Sequence, residues 1–303
     1  VVMDAILIAI DYKGLPIQSN TPPFGKDANA VNESLDYLNM IRTQLKQKYG
    51  APCIMQTCVH EPESFFGNFD VQVNNTSRQF INIFNSALVN EVAGTEDFLL
   101  DVAAIAETVG LANWHDPVMY HMAKLPFAQK LVPFYAEQVC RIITAMSGKA
   151  RRALILDLDN TLWGGVIGDD GLSGIELGQG NALGEAYLAV QNTVLKLRQR
   201  GIVLAVCSKN NDTTARIPFR EHPDMLLNES HIAVFRANWE DKVPNIQFIA
   251  ETLNLGLESI VFLDDNPVER DRVRYELPEV AVPELPEDPA YYPRTLLAAG
   301  YFE

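Results

Sequence analysis

Short apolar runs alternate with longer amphipathic segments along the first half of the chain. Strands are predicted at 4–11, 52–59 and 98–106, and helices at 31–50, 77–94 and 131–146. In the first helix, leucine and isoleucine recur on one face and Gly50 follows as a stop signal. A stretch rich in Pro, Gly and Asn at 13–29 is expected to form a loop. Alternating strands and helices favour a parallel sheet covered on both faces.

The same alternation restarts after a short polar and cationic break at 146–152. Strands are predicted at 153–157, 202–207, 231–235 and 259–267, and helices at 183–201 and 244–256. A chain of 303 residues is long enough to build two separate cores. We therefore predict two α/β domains, residues 1–148 and residues 149–303.

Composition and charge exclude several classes of protein. With 48% hydrophobic and 21% charged residues, the chain has the composition of an ordinary globular protein. No apolar run is long enough to cross a bilayer, and the first residues do not resemble a signal peptide. A formal charge of −15 argues against binding to nucleic acid or to an anionic membrane. Because the first residue is valine, upstream sequence is expected to be missing.

The four cysteines do not form a recognisable metal-binding or redox motif. Cys53 and Cys58 have a spacing that fits neither a zinc site nor a redox pair. We therefore expect reduced thiols and a cytoplasmic protein.

Two aspartates directly follow the first predicted strand of the second domain, in the sequence ALILDLDNTLWGG. Asp157 lies at the carboxyl tip of the strand, and Asp159 comes two positions later. Carboxylates this close repel each other unless a cation lies between them. Oxygen ligands without nearby Cys or His favour a hard ion, so the pair predicts Mg²⁺.

Later strand ends supply the other groups that a phosphoryl-transfer site needs. These groups are the hydroxyl of Ser208, the cation of Lys242 and the acid pair Asp264 and Asp265. Such a site positions the phosphoryl group and neutralises its oxygens. Each feature alone has an ordinary alternative, since an Asp-x-Asp often caps a turn and a single Ser or Lys is usually on the surface. Their common order, each after an apolar run, favours the functional interpretation.

This order of motifs resembles the haloacid dehalogenase superfamily of phosphotransferases, which use an aspartate nucleophile. The resemblance implies that Asp157 attacks phosphorus and that Asp159 acts as general acid and base. It also implies a Mg²⁺ site formed by Asp157, the backbone carbonyl of Asp159, and Asp264, with Asp265 binding through water or orienting Lys242. The residues expected to bind phosphate are Thr161, Ser208, Lys209, Asn210 and Lys242.

The segments around the motifs resemble a narrower group, the FkbH-like family, from about residue 152 to the end. The matching segments are LDLDNTLWGGVIGDDGLSGIELG, SKNN, HPDMLL, NWEDKVPNI, LNLGLESIVFLDDNPVERDRVR and LPEVAVPELPEDP. The resemblance implies a bifunctional glyceryl transferase and phosphatase of polyketide biosynthesis. Such an enzyme takes 1,3-bisphosphoglycerate, holds the glyceryl group as a thioester, removes phosphate and loads the phosphopantetheine arm of an acyl carrier protein.

A thioester needs a cysteine, and Cys207 directly precedes Ser208 at a predicted strand end. Lys209 could lower the pKa of its thiol, which would make Cys207 the acyl acceptor. The alternative is a buried cysteine that packs as a small apolar residue. The stretch between Leu162 and Leu183 is too short for a large cap domain, and an open site would suit a carrier-bound substrate.

The first half resembles the SGNH-hydrolase-like three-layer α/β region of the same family, and we expect it to be incomplete. Asp116 and His121 do not have the Asp-x-x-His spacing of an active SGNH hydrolase, so we do not expect hydrolase activity in this domain. His115 and His121 would contact an acyl or pantetheine group, or lie as ordinary solvated histidines. Two alternatives to glyceryl transfer stay open: a plain Mg²⁺-dependent phosphatase, and a docking module without activity.

Overall fold

The computed structural model describes residues 3–16, 29–73 and 76–303. The chain divides into two compact units, Val1–Ile143 and Thr144–Glu303. The predicted domain boundary after residue 148 lies a few residues beyond this division. The predicted loop at 13–29 falls largely on residues 17–28, which are outside the described ranges.

The first unit contains a three-stranded parallel sheet in the order β1-β2-β3. Its strands are β1 Ile6–Ile8, β2 Cys53–Gln56 and β3 Phe98–Leu100. The helices that begin in this unit are α1 Asn29–Tyr49, α2 Ser77–Val92, α3 Val102–Val109, α4 Leu111–Trp114, α5 Pro117–Ala123 and α6 Val132–Met146. Helix α1 ends as predicted, because Gly50 adopts a φ of +69° that other residues rarely take. Leu38 of α1 and Phe84 of α2 pack with Met55 of β2 in the core.

One predicted element of this unit is wrong. The expected strand at 98–106 ends at Leu100, and the rest of that segment forms α3. The carboxylate of Asp101 accepts a hydrogen bond from the backbone N–H of Ala104 at 3.2 Å and so caps the new helix. An apolar run occurs in buried strands and in buried helices, so the run alone does not tell them apart. Here the cap at Asp101 starts a helix.

His115 and His121 of the first unit line one cavity. The Nε2 atom of His115 lies 2.8 Å from the backbone carbonyl of His60, within hydrogen-bonding distance. The expected contact of these histidines with an acyl group stays a prediction.

The second unit contains a four-stranded parallel sheet in the order β6-β5-β4-β7. Its strands are β4 Ala153–Leu156, β5 Val203–Ser208, β6 Ile232–Ala237 and β7 Ile260–Leu263. Its helices are α7 Ile167–Asp170, α8 Ala182–Gln199, α9 Asp212–Glu221, α10 Lys242–Leu253, α11 Pro267–Glu276 and α12 Tyr292–Ala298. The apolar pattern predicted α8 and α10 but not α9 and α11, whose residues are predominantly polar.

Both faces of this sheet are buried. Leu154 and Leu156 pack into a core on one face, while Ala153 and Ile155 pack into a second core on the other. All four side chains are fully buried, as continuous apolar strands of a parallel sheet require. The predicted class, α/β with two parallel sheets, is confirmed. The likeness of the first unit to SGNH hydrolases stays a prediction.

The stretch between β4 and α8 is short and forms an abbreviated cover. It contains the single-turn α7 and a bridge between Gly164 and Glu176. Gly165 has a φ of +87°, and a Cβ atom at this position would lie 2.7 Å from Oδ2 of Asp170. The glycine pair after Trp163 therefore permits a tight turn that a larger residue would open.

No helix in the described part of the chain is long and apolar enough to span a membrane. The four cysteines are free thiols, three of them buried and Cys140 exposed.

Candidate active site

Three carboxylates meet at the carboxyl edge of the second sheet. Asp157 follows β4 and Asp264 follows β7, and these strands are neighbours with Leu156 paired to Leu263. One carboxylate oxygen from each of Asp157, Asp264 and Asp265 lies within 4.8 Å of the other two. Asp264 is fully buried and Asp157 is 7% exposed. The predicted cluster of acids from two strand tips is confirmed.

Lys242 faces this cluster from the first residue of α10. Its Nζ atom lies 3.0 Å from Oδ2 of Asp157 and also contacts Oδ2 of Asp264. Burial lowers the pKa of Lys242, but the two carboxylates raise it more, so the lysine stays charged. Burial and the negative charge of Asp157 raise the pKa of Asp264, and Lys242 opposes this shift. The lysine therefore compensates part of a dense buried negative charge.

The carboxylate of Asp159 is held apart from the three acids by hydrogen bonds. Its Oδ1 atom accepts bonds of 3.0 Å from the Trp163 indole N–H and from the Ile167 backbone N–H. Its Oδ2 atom accepts a 2.7 Å bond from the Asn210 side chain. Burial raises the pKa of Asp159, although these hydrogen bonds oppose the shift. A carboxyl group with a raised pKa, fixed two residues after Asp157, suits general acid and base catalysis.

The predicted phosphate-binding residues take different positions around the acids. Ser208 ends β5, is buried, and accepts a 3.3 Å hydrogen bond from the Asn210 amide. The Asn210 amide thus joins Ser208 to Asp159. The Thr161 hydroxyl donates to Oδ1 of Asp265 at 3.2 Å and so links the turn after Asp157 to the second acid pair. Their contact with phosphate stays a prediction.

The surroundings of Cys207 do not support the predicted effect of Lys209 on its thiol, and binding of phosphate by Lys209 stays a prediction. The Nζ atom of Lys209 pairs with Glu269 at 2.6 Å and with Asp241 at 3.8 Å. Cys207 is fully buried in the core on one face of the sheet. Burial raises the pKa of its thiol to about 12; Lys242, rather than Lys209, opposes the shift. This environment favours the alternative in which Cys207 packs as a small apolar residue.

Sequence reasoning missed the contact between Trp163 and Asp159. Trp163 has no predicted role at the site, yet its buried indole N–H donates directly to the Asp159 carboxylate. The signal was present, because Trp163 lies in the same short motif and carries one N–H donor that must find a partner when buried.

No family model matches the chain, and no curated protein matches it. A solved structure does match: the N-terminal part of the protein BF1531 from Bacteroides fragilis, which contains a phosphatase domain and is complexed with Mg. The identity is 38%, the TM-score is 0.84, and the match covers 91% of this chain and 72% of that chain.

Two further structures show a weaker likeness. A haloacid dehalogenase-like hydrolase from Xanthomonas campestris has 14% identity and a TM-score of 0.29 over 50% of this chain and 96% of its own. The 3-deoxy-D-manno-octulosonate 8-phosphate phosphatase from Moraxella catarrhalis has 18% identity and a TM-score of 0.28 over 48% and 77%. Neither likeness is strong enough to support a statement about this chain.

The match to BF1531 is both close and extensive, and the Mg bound to that protein agrees with the acidic cluster of this chain. The chain belongs to the family of the Bacteroides fragilis protein BF1531.

Proposed function

We propose that the protein is a Mg²⁺-dependent phosphatase that hydrolyses phosphate monoesters through a phospho-aspartyl intermediate on Asp157. The observation that carries the proposal is the meeting of Asp157, Asp264 and Asp265 opposite the buried cation of Lys242. Structural ion pairs rarely gather three carboxylates around one lysine, because the excess negative charge is costly to bury.

The carboxylates fit a magnesium ion. The Oδ1 atom of Asp157 is buried and accepts no hydrogen bond from any residue that the structure describes. A buried oxygen of this kind needs a partner, and a hard cation shared with Asp264 and Asp265 provides one. The relative from Bacteroides fragilis is complexed with Mg. When bound, the ion would screen the repulsion between the carboxylates and an incoming phosphate.

The residues divide the reaction into two displacements. In the first, a carboxylate oxygen of Asp157 forms a bond to phosphorus while the ester P–O bond breaks, and Asp159 gives its proton to the departing oxygen. In the second, water attacks the phospho-aspartate, Asp159 takes a proton from that water, and the bond from phosphorus to Asp157 breaks. Lys242 and Ser208 would hold the phosphoryl oxygens throughout.

Removing the metal tests the proposal directly. In Mg²⁺ the protein is expected to hydrolyse p-nitrophenyl phosphate, and an excess of EDTA should lower kcat by about 100-fold or more, since several kcal/mol of charge stabilisation are lost. Readdition of Mg²⁺ should restore the rate, and Ca²⁺ should restore much less because it imposes a larger and looser coordination shell. A rate that is unaffected by EDTA would contradict the proposal.

Glyceryl transfer, as in the FkbH-like family, is a second and finer candidate. One observation favours it: the cover between β4 and α8 contains only a single-turn helix, which suits a substrate carried on the arm of an acyl carrier protein. Two others weigh against it. The thiol of Cys207 is inaccessible. The arginines that could form a basic docking surface for an acidic carrier protein are each paired with acids; they are Arg216, Arg220, Arg270, Arg272 and Arg274.

A test at Cys207 distinguishes a plain phosphatase from a glyceryl transferase. With 1,3-bisphosphoglycerate and Mg²⁺, we expect phosphate release but no glyceryl adduct on Cys207, because its thiol is buried and protonated. Cys207→Ala should keep phosphatase activity, and Cys140→Ala serves as the control at an exposed thiol. Intact-mass analysis and peptide mapping make the measurement. An adduct on Cys207, together with a loss of carrier loading in C207A, would instead establish glyceryl transfer.

A further inference from the structure

A large aromatic side chain is exposed in the turn that leads into Lys242. The turn between β6 and α10, residues 238–241 (the rim turn), carries Trp239, whose side chain is 75% exposed. An indole left in water forgoes the burial that usually stabilises this residue. An exposed tryptophan three residues before Lys242 therefore calls for a functional reason.

The rim turn is rigidly built. The side-chain amides of Asn238 and Asn245 exchange hydrogen bonds of 2.8 and 3.1 Å. Asn238 also accepts a 3.0 Å bond from the backbone N–H of Glu240, and Arg236 donates to Asn245 at 3.0 Å. Asn245 is 2% exposed, so this network is anchored in the protein interior. The backbone that carries the exposed indole is thus held in place by hydrogen bonds.

The rim turn is also tied to the catalytic groups. The backbone N–H of Asn238 donates to the carbonyl of Ser208 at 3.2 Å, and the turn leads directly into Lys242. Asp241 pairs with Arg272 of α11 at 2.7 Å and lies 3.8 Å from Lys209. These contacts place the turn at the carboxyl edge of the sheet, where open α/β sheets bind their ligands.

The charges of the rim turn and its surroundings leave no cation unpaired among the residues named. Lys209 pairs with Glu269, Arg236 with Glu240, and Arg272 with Asp241. A substrate with a second phosphate or a carboxylate would have to displace one of these acids. A neutral flat group would meet no such barrier and could stack on the indole.

We infer that Trp239 determines substrate specificity by contacting the part of the substrate beyond the phosphoryl group, and that it favours monoesters with a neutral, flat, apolar leaving group. This inference rests on the proposed phosphatase activity and extends it to a substrate class. The short cover strengthens it, since no cap domain is present between β4 and α8 to take over this contact.

The test compares two monoesters, 2-naphthyl phosphate and glycerol 2-phosphate, in the full chain with Mg²⁺. Trp239→Ala should lower the ratio of kcat/KM for the naphthyl ester to that for the glycerol ester by about tenfold, because one aromatic contact is lost. Comparing this ratio between W239A and the wild-type protein cancels the different intrinsic reactivities of the two esters. Trp239→Phe should keep most of the preference, since a flat ring remains.

Tyr275→Ala is the matched control. Tyr275 is 88% exposed in the last turn of α11, far along that helix from the catalytic edge, and its removal should leave the ratio unchanged. If W239A lowers kcat/KM equally for both esters, or for neither, the inference about Trp239 is wrong while the phosphatase proposal stands. If the wild-type protein hydrolyses neither ester with Mg²⁺, the phosphatase proposal itself is contradicted.

Discussion

Replacing Asp157 with asparagine (D157N) is expected to lower kcat for p-nitrophenyl phosphate by about 10⁴-fold or more, since a neutral amide is a poor nucleophile for phosphorus. The amide also removes one of the three converging carboxylates and so weakens the metal site. Steady-state hydrolysis with saturating Mg²⁺ measures the effect. Retention of more than about one hundredth of the rate would exclude Asp157 as the nucleophile.

The loss in D157N should not come from unfolding. Lys242 keeps its contact with Asp264 in this variant, and one of several repelling negative charges is gone. Thermal denaturation in EDTA should therefore show a midpoint no lower than that of the wild-type protein. Asp271→Asn is the control substitution, because Asp271 is 75% exposed in a surface pair with Arg274 and such pairs contribute about 0–1 kcal/mol.

The second large effect concerns Lys242. In K242M, Asp157 and Asp264 lose the cation between them, and breaking a buried ion pair from one side costs about 3–5 kcal/mol of unfolding free energy. The rate should also fall by about 10²–10³-fold, the usual cost of removing one group that stabilises the transition state. Denaturant unfolding in EDTA and steady-state kinetics in Mg²⁺ measure the two losses separately.

Magnesium should distinguish this effect from simple damage to the core. Because the uncompensated carboxylates of K242M bind a cation in place of the lysine charge, Mg²⁺ should raise the unfolding midpoint of K242M more than that of the wild-type protein. Lys196→Met changes an exposed lysine of α8 and should alter neither stability nor the response to Mg²⁺ appreciably. An equal Mg²⁺ response in K242M and wild type would show that the lysine does not neutralise the acids.

Much of the fold could be predicted from local patterns. Apolar runs of strand length marked all seven strands found in the described part of the chain, and Gly50 and Gly201 marked the ends of two long helices. Helices α9 and α11 were not predicted, because their residues are mostly polar. Such a segment has too weak an apolar periodicity to be distinguished from a loop. The strand predicted at 98–106 extended too far, because a predominantly apolar run has no clear period that separates the strand at Phe98–Leu100 from the helix that follows it.

The candidate site likewise has features that the sequence predicts and features that it does not. The residue types and their order were enough to predict an acidic cluster with a serine and a lysine, because only a few kinds of chemistry need those groups after successive strands. The positions of individual side chains were not predictable. Lys209 and Lys242 are equally cationic in the sequence, yet one forms a surface ion pair with Glu269 and the other reaches the buried acids.

The sequence by itself determined the alternation of strands and helices, the division into two α/β units, and the chemical groups available at the strand ends. Only the tertiary structure decided which groups meet. The order β6-β5-β4-β7 makes β7 the neighbour of β4, so Asp264 joins Asp157 across more than a hundred residues of chain. It also decided that Cys207 faces a closed core while Ser208, the next residue, ends the strand at the site. The physical reason is that hydrogen bonding between strands and the burial of both sheet faces are non-local, and they fix the exposure and partners of side chains that local sequence leaves open.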